Sequence, residues 1–388
     1  MSNPLPMSCI DLHIDSRISH CRLTLFRKGP CRAFLGDLSG TNTSKMRIAN
    51  SSFAFFLSIG GILGYAAGSF NNLHRMYPFT VTNACDVYCA NLKSCFFLSI
   101  TILIIVTTLA ISFVKEELNP TKVGQTNTTS IDESTTKKVP FFIGMISAMK
   151  YFPKSMWILL LVTFMNIFAW FPYMMFGTDW MAREVYGGKV GEGDSYYQGV
   201  HVGSLGLMIQ AIMLGVTSLG IEFLARGLGG QVNKLWGFSN FLLAICLCLL
   251  VLITKLGESS RRYTTARDGR ITPMPPKLRI KAGALALFGV MGIPQAVTNV
   301  VPYTLASIYS DISVAGQGLS IGVLNLAVVI PQLLVSLLSG PWDDLFGGGN
   351  LPSFIVGAFV AAASGVVALS LLPSPSPDDT TKDKSSAA

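Results

Sequence analysis

The chain has 388 residues, half of them hydrophobic and only 13% charged, with a mean hydropathy of +0.50. An ordinary soluble domain carries about 25% charged residues, so this composition excludes one and points to a membrane protein. The formal net charge of +8 has no basic stripe with interleaved aromatics behind it. Nucleic acid is therefore not an expected partner, and the surplus belongs in loops at the surface of a lipid bilayer.

The charges are spaced in a way that decides the fold class. No Asp, Glu, Lys or Arg occurs between Arg47 and Arg75, Lys93 and Lys115, Lys154 and Asp179, or Asp194 and Glu222. The same holds between Lys234 and Lys255, Lys281 and Asp311, Asp311 and Asp343, and Asp344 and Asp378. Each gap has 20 residues or more, and about 20 apolar residues cross a bilayer as a helix. Lipid-exposed backbone must satisfy its hydrogen bonds internally, so the expectation is an all-α, polytopic protein with eight spans.

Residues 1–47 carry ten charges, among them Asp11, Asp15, Arg22, Arg27, Lys28 and Arg32, and no apolar core of signal-peptide length. The first span, Phe53–Phe70, has Gly60, Gly64 and Gly68 on one face, a spacing that predicts close approach of another helix. The second, Cys95–Val114, follows a loop holding Cys85, Cys89 and Cys95. Cys85 and Cys89 stand at helical i,i+4 spacing with no His or second Cys pair near, so no metal site is expected. On an oxidising exterior one disulfide among the three fits, and a structural thiol pair fits equally. Residues 115–154, spread with Thr, Ser, Asn, Gly and charges, read as a linker that cannot bury a core. Six spans follow, at Trp157–Phe176, His201–Ile221, Leu235–Thr254, Ala282–Tyr303, Val314–Ser339 and Leu351–Leu372, and then a polar tail. The chain thus divides at 1–47, 48–114, 115–154, 155–372 and 373–388.

Basic residues set orientation. The start and the central linker are basic and read as cytoplasmic, as does the tail by span count; loops 71–93 and 179–200, with two basic residues each, read as outside. Loop 255–281 objects: it falls outside by count yet holds Lys255, Arg261, Arg262, Arg267, Arg270, Lys277, Arg279 and Lys281.

No nucleophile–base set, zinc-protease motif or phosphate-cradling loop stands out, and two of the four histidines, His13 and His20, lie in the polar start. An enzyme is not expected, and neither is a cofactor or metal. Gly347-Gly-Gly-Asn350 reads as a turn ahead of a binding loop. Intramembrane polarity is the remaining signal. Asp179 and Arg183 stand four apart on one helical face and can pair, with Glu184 about a quarter turn away. Counting from Trp157 at about 1.5 Å per residue, Asp179 reaches roughly the far edge of a ~30 Å apolar core. An interfacial ion-pair anchor and a working site fit this spacing equally well. Mid-span Gln210, Gln295, Asn299, Asn325 and Gln332 read first as interhelical hydrogen bonds, although a sugar site would use the same groups.

Several segments carry a resemblance. They are Gly29-Pro-Cys-Arg-Ala-Phe-Leu-Gly-Asp-Leu38, Leu63-Gly-Tyr-Ala-Ala-Gly-Ser69, Cys85-Asp-Val-Tyr-Cys-Ala-Asn-Leu-Lys-Ser-Cys95, Thr178-Asp-Trp-Met-Ala-Arg-Glu-Val-Tyr-Gly-Gly188, Ala315-Gly-Gln-Gly-Leu-Ser320 and Leu345-Phe-Gly-Gly-Gly-Asn-Leu-Pro352. In this order they resemble the plant sucrose–proton symporters, glycoside-pentoside-hexuronide transporters of the major facilitator superfamily. The resemblance implies two six-helix halves. The eight spans look like helices five to twelve, and 29–38 looks like the end of helix four. It also puts loop 255–281 outside despite its charge.

What the family implies for function is symport of sucrose or related glucosides with protons, driven by the proton gradient, in the plasma membrane rather than the vacuolar one. Arg32 matches a helix-four arginine used on substrate or in the charge relay. Asp179, Arg183 and Glu184 match a helix-seven set required for transport, whose family pattern is Asp-Thr-Asp-Trp-Met-Gly-Arg-Glu. Here Gly177 stands at the first aspartate and Ala182 at the glycine. Arg226 and Lys234 fall in a stretch resembling the superfamily's cytoplasmic gate loop, with Gly227 in place of a second basic residue. Residues 1–28 match nothing in the family, and no counterpart of helices one to three is present. That motivates a second reading: an N-terminally truncated, non-transporting homologue that assembles with a complete transporter, or an incomplete gene model.

Overall fold

A computed structural model describes Arg32, Leu35 and residues 43–69, 75–81, 87–113, 149–150, 152–189, 194–265, 271–310, 317–346 and 349–373. Its helices are α1 (Thr43–Ser69), α2 (Val87–Phe113), α3 (Lys154–Trp180), α4 (Asp194–Gly227), α5 (Val232–Ser260), α6 (Leu278–Ser310), α7 (Gln317–Leu345) and α8 (Leu351–Leu371). Among the described residues, eight helices are long and apolar enough to cross a bilayer. They coincide with the eight charge-free gaps, because a helix in lipid tolerates charge only near its ends. Most overrun the gaps, since a helix continues past the apolar zone once water or headgroups meet its side chains.

The fold is all-α, as expected, with one short hairpin added. Between α5 and α6 the chain forms an antiparallel hairpin, β1 (Tyr263–Thr265) and β2 (Ile271–Pro273), with Tyr263 opposite Pro273 and Thr264 opposite Thr272. Charge spacing cannot register so short an element, although Asp268-Gly269 in the connecting sequence is a hairpin signal.

The chain forms two compact units, Met1–Tyr65 with Met149–Ala388, and Ala66–Ala148. In the first, α8 packs on α5 and α3, α4 on α6, α5 on α6, and α3 on α7. The core joins Trp170, Tyr173 and Trp180 of α3 to Leu243 and Leu247 of α5, Phe288 of α6 and Phe354 of α8. Polar groups inside it are paired across helices: Asn166 Nδ2 donates to Asn240 Oδ1 at 2.5 Å, and Asn240 Nδ2 to Ser364 Oγ at 3.0 Å. Such pairing fixes helix register where apolar contact with lipid-like surfaces discriminates poorly.

The glycines that allow close packing are not the predicted ones. Nothing described lies within 4 Å of a Cβ built at Gly60, Gly64 or Gly68. The tight approaches are instead on α4 and α6, where a Cβ at Gly215 would overlap Ser58 Oγ of α1 and one at Gly292 would meet the Gln210 carbonyl oxygen at 2.5 Å.

In the second unit a 3-10 turn at Pro78–Thr80 and α2 share a hydroxyl contact, Thr80 to Ser94 at 3.2 Å, and an aromatic cluster of Tyr77, Phe79 and Phe97. Cys89 is disulfide-bonded and Cys95 is a free thiol; Cys85 lies outside the described residues.

Candidate functional site

A cavity of about 490 Å³ opens between α1 and the helices α3, α4, α6 and α7. Its polar lining comes from Gln210 on α4, Gln295 and Asn299 on α6, and Asn325 and Gln332 on α7, with the rings of Trp170, Tyr173 and Tyr303 beside them. These residues lie near the middle of their helices, so the cavity is at the depth where a bilayer midplane would fall. No charged residue lines it among the described residues. Gln210, Gln295 and Asn325 thus join helices, as expected, and face the same space.

Their hydrogen bonds run in a chain. The Tyr173 hydroxyl donates to Gln210 Oε1 at 2.5 Å, and Gln210 Nε2 donates to Gln295 Oε1 at 2.8 Å. On the α7 side the Tyr303 hydroxyl donates to Asn325 Oδ1 at 3.1 Å. Each tyrosine occupies an amide oxygen, which sets the amide's orientation and leaves N–H donors over for a ligand. Trp170 Nε1 and Thr298 Oγ1, on two lining residues, are buried without a partner among the described residues. Leaving such groups unsatisfied costs about 1–3 kcal/mol each unless something polar enters.

Arg32 stands behind this lining. It is buried and donates from one terminal nitrogen to Asn50 Oδ1 at 3.2 Å and to the Asn299 carbonyl at 2.8 Å. Its guanidinium lies 3.5 Å from the Tyr303 ring centroid and 4.3 Å from that of Phe53. The aromatic faces supply cation–π attraction in place of a carboxylate.

Asp179, Arg183 and Glu184 gather elsewhere, about 9 Å further along α3 than Tyr173 at helical rise. Arg183 Nε pairs with Asp179 Oδ1 at 3.0 Å, as the i,i+4 spacing implies. The Tyr196 hydroxyl of α4 donates to the same oxygen at 2.8 Å, and Asn350 Nδ2 donates to Asp179 Oδ2 at 3.1 Å. The helix loosens into a single π turn, Met181–Val185, and Glu184 Oε1 accepts the Asn350 backbone N–H at 3.4 Å. That places a carboxylate at the N-terminus of α8, where the helix dipole favours negative charge. Asn350 thus bridges both acids from a turn that showed no such role in the sequence; only the close approach of chain segments far apart in number reveals it.

At the other end of α4, Glu222 receives Arg47 of α1 (Nε to Oε2, 2.9 Å), Arg226 (3.2 Å) and the Ser44 hydroxyl (3.2 Å). Tyr196 and Glu222 are 26 positions apart, about 39 Å at helical rise, with Gln210 near the middle. Two ionic clusters therefore flank one uncharged cavity along a single helix. Lys234, beyond the turn of Gly229 (φ +66°) and Gly230 (φ +80°), is exposed and does not join the Glu222 cluster. A side chain at Gly230 would be strained, because its backbone N–H closes on the Ala225 carbonyl at 2.8 Å from the left-handed region.

Over 350 residues the chain is 43% identical to sucrose transport protein SUC4 of Arabidopsis thaliana, covering 89% of this chain and 65% of SUC4. The chain is similar to plant sucrose transport proteins. Sucrose transport protein SUT2 of Oryza sativa subsp. indica is 40% identical over 349 residues, covering 89% of this chain and 66% of SUT2. Sucrose transport protein SUC3 of Arabidopsis thaliana is 33% identical over 398 residues, covering 89% and 65%. The chain thus spans just under two thirds of the length of these relatives. No family model matches it.

Two departures from the sucrose transporter pattern acquire a structural context. A Cβ at Gly177 would meet the Tyr173 ring at 3.4 Å and Phe288 at 3.7 Å, so the position faces aromatic groups rather than the Asp179 cluster. The Ala182 methyl is accommodated because Gly199 opposes it; a Cβ at Gly199 would overlap the Ala182 Cα. The family-matched residues do not form one constellation. Asp179 pairs with Arg183 and shares Asn350 with Glu184, Arg32 adjoins the cavity through Asn299 and Tyr303, and Arg226 belongs to the Glu222 cluster.

Proposed function

We propose that this multi-pass membrane protein moves sucrose, or a related glucoside, together with protons by alternating access. The observation that carries the reading is the cavity: uncharged, lined by amides and aromatic rings, and at the middle of the helices. A disaccharide offers many hydroxyls and no charge, which suits amide N–H donors, carbonyl acceptors and ring faces, and the cavity volume lies in the usual ligand range of about 300–1,000 Å³. Sites near the bilayer midplane are the rule in transporters that alternate access. The names of the relatives support the same substrate.

In this reading the ionic clusters work as gates and couplers rather than as the sugar site. Protonation at the Asp179–Arg183–Glu184 cluster weakens the hold of Arg183, Tyr196 and Asn350 on the acids, which frees α3, α4 and the start of α8 to move relative to one another. Arg32 responds to the occupied cavity through Tyr303 and Asn299. The Glu222 cluster, with Arg47 and Arg226, closes the opposite end. The proton gradient is the energy source and no cofactor takes part. One proton crossing about 100 mV supplies about 2.3 kcal/mol, enough for roughly fifty-fold sugar accumulation at 1.4 kcal/mol per tenfold. The plasma membrane is the proposed address.

The test is expression in yeast lacking sucrose uptake. Labelled sucrose should enter faster as external pH falls, and Asp179→Asn should remove that import. Uptake equal to that of cells carrying an empty vector would reject the reading.

A further inference from the structure

We propose a second ligand site, where α5 ends and α6 begins, that binds the phosphate of a phospholipid headgroup. A cavity of about 200 Å³ there is lined by Arg261, Arg262, Lys277, Met274, Pro275 and the turn at Val185. The segment 255–281 holds eight basic residues against Glu258 and Asp268. Of these acids, Glu258 is engaged by Lys255 at 3.0 Å. Arg262 and Lys277 form no salt bridge among the described residues, and Arg261 is attracted to the Glu184 carboxylate only at longer range.

Arg261 is held ready. One terminal nitrogen donates to the Glu184 carbonyl at 2.6 Å, and the side chain lies over Gly187, whose φ of +69° and absent Cβ leave it room. Its Nε is buried without a partner among the described residues. Arg262, just before β1, and Lys277, just after β2, line the same space, with Pro275 and Pro276 stiffening the segment that leads to Lys277. Converging guanidinium and ammonium groups form strong charge-assisted hydrogen bonds to phosphate oxygens.

The neighbours favour a lipid. Leu278 is 79% exposed, and Tyr263 and Leu256 beside the cations are also exposed. Aromatic and aliphatic side chains next to Lys and Arg at the ends of membrane helices match the chemistry of the headgroup region. The site accounts for the basic loop that the positive-inside pattern does not. It also abuts the carbonyl of Glu184, so its occupant would stiffen the turn that follows Asp179 and Arg183. The inference does not rest on the transport reading.

The full chain, purified in detergent with phosphatidylcholine as carrier, is titrated with phosphatidylglycerol and, separately, with inorganic phosphate. Retained lipid is read by native mass spectrometry and phosphate by calorimetry. Saturable phosphatidylglycerol binding is expected in the native chain and in Arg262→Lys. Removing each basic residue should weaken it about fivefold, and Arg262→Ala with Lys277→Ala together roughly thirtyfold. If the double variant does not fold, Lys277→Gln reads the single loss. Saturable inorganic phosphate binding with the same dependence on Arg262 and Lys277 would keep the site and make a free oxyanion its ligand. No saturable binding of either probe, or equal affinity in native chain and variants, overturns the proposal.

Discussion

Arg47 of α1 and Glu222 of α4, 175 positions apart in sequence, meet at 2.9 Å with side chains only 10% and 12% exposed. This pair ties the first helix to the six-helix group at the end of the cavity opposite Asp179. Breaking a buried pair leaves the surviving charge stranded, at a cost of about 3–5 kcal/mol when burial is complete. Arg226, two-thirds exposed, remains to screen Glu222 here. Arg47→Ala should therefore cost less, about 2 kcal/mol, and Arg47→Ala with Glu222→Gln less than the sum of the two single changes. Thermal unfolding of the four proteins in detergent provides the double-mutant cycle, and simple additivity would show that the pair is uncoupled.

The Tyr173 hydroxyl holds Gln210, and Gln210 holds Gln295. Tyr173→Phe removes the donor and leaves a buried amide oxygen unpaired, at about 1–3 kcal/mol. The fold should survive, since the ring contacts with Trp170 and Phe288 persist. Under the proposed function the apparent KM for sucrose rises about tenfold while maximal uptake changes little. An unchanged KM would remove Gln210 from the sugar contacts.

Asn350 offers donors to both acids of the Asp179–Arg183–Glu184 group, from its side chain to Asp179 and from its backbone to Glu184. Asn350→Ala deletes only the first. Uptake should fall about tenfold or more, in line with roughly 1.5–3 kcal/mol for a hydrogen bond to a charged group, and the pH dependence should shift rather than vanish. Asp179→Asn, by contrast, should abolish the pH dependence. Identical pH profiles for native chain and Asn350→Ala would assign the asparagine to packing alone.

Glycine effects should follow the tertiary contacts. Gly292→Ala puts a methyl against the Gln210 carbonyl and the Met213 Cβ, at 2.5 and 2.7 Å before any relaxation. The helices α4 and α6 must separate, at about 1–3 kcal/mol. Gly60→Ala meets nothing described within 4 Å and should be neutral or slightly stabilising through helix propensity. Unfolding midpoints of the two variants give the comparison, and a larger loss for Gly60→Ala would point to a helix packed on that stripe.

The eight spans and the Asp179–Arg183 pair were legible in the sequence for one reason. Helical periodicity and the cost of placing charge in lipid act along the chain, so residue order alone is enough to locate them. The hairpin at 263–273, the Arg47–Glu222 pair, the Tyr173–Gln210–Gln295 chain and the approach of Asn350 to both acids were not. The hairpin is too short for charge spacing to register, and the other three join segments whose separation in sequence carries no information about which helix faces meet. The amides of α4, α6 and α7 read from their spacing first as interhelical hydrogen bonds, and only the tertiary structure shows that they converge with Trp170, Tyr173 and Tyr303 around one space. The stripe of Gly60, Gly64 and Gly68 had the right period for a helix contact, yet the close approaches fell to Gly215 and Gly292, because packing is chosen by the partner surface as well as by the helix that offers the groove.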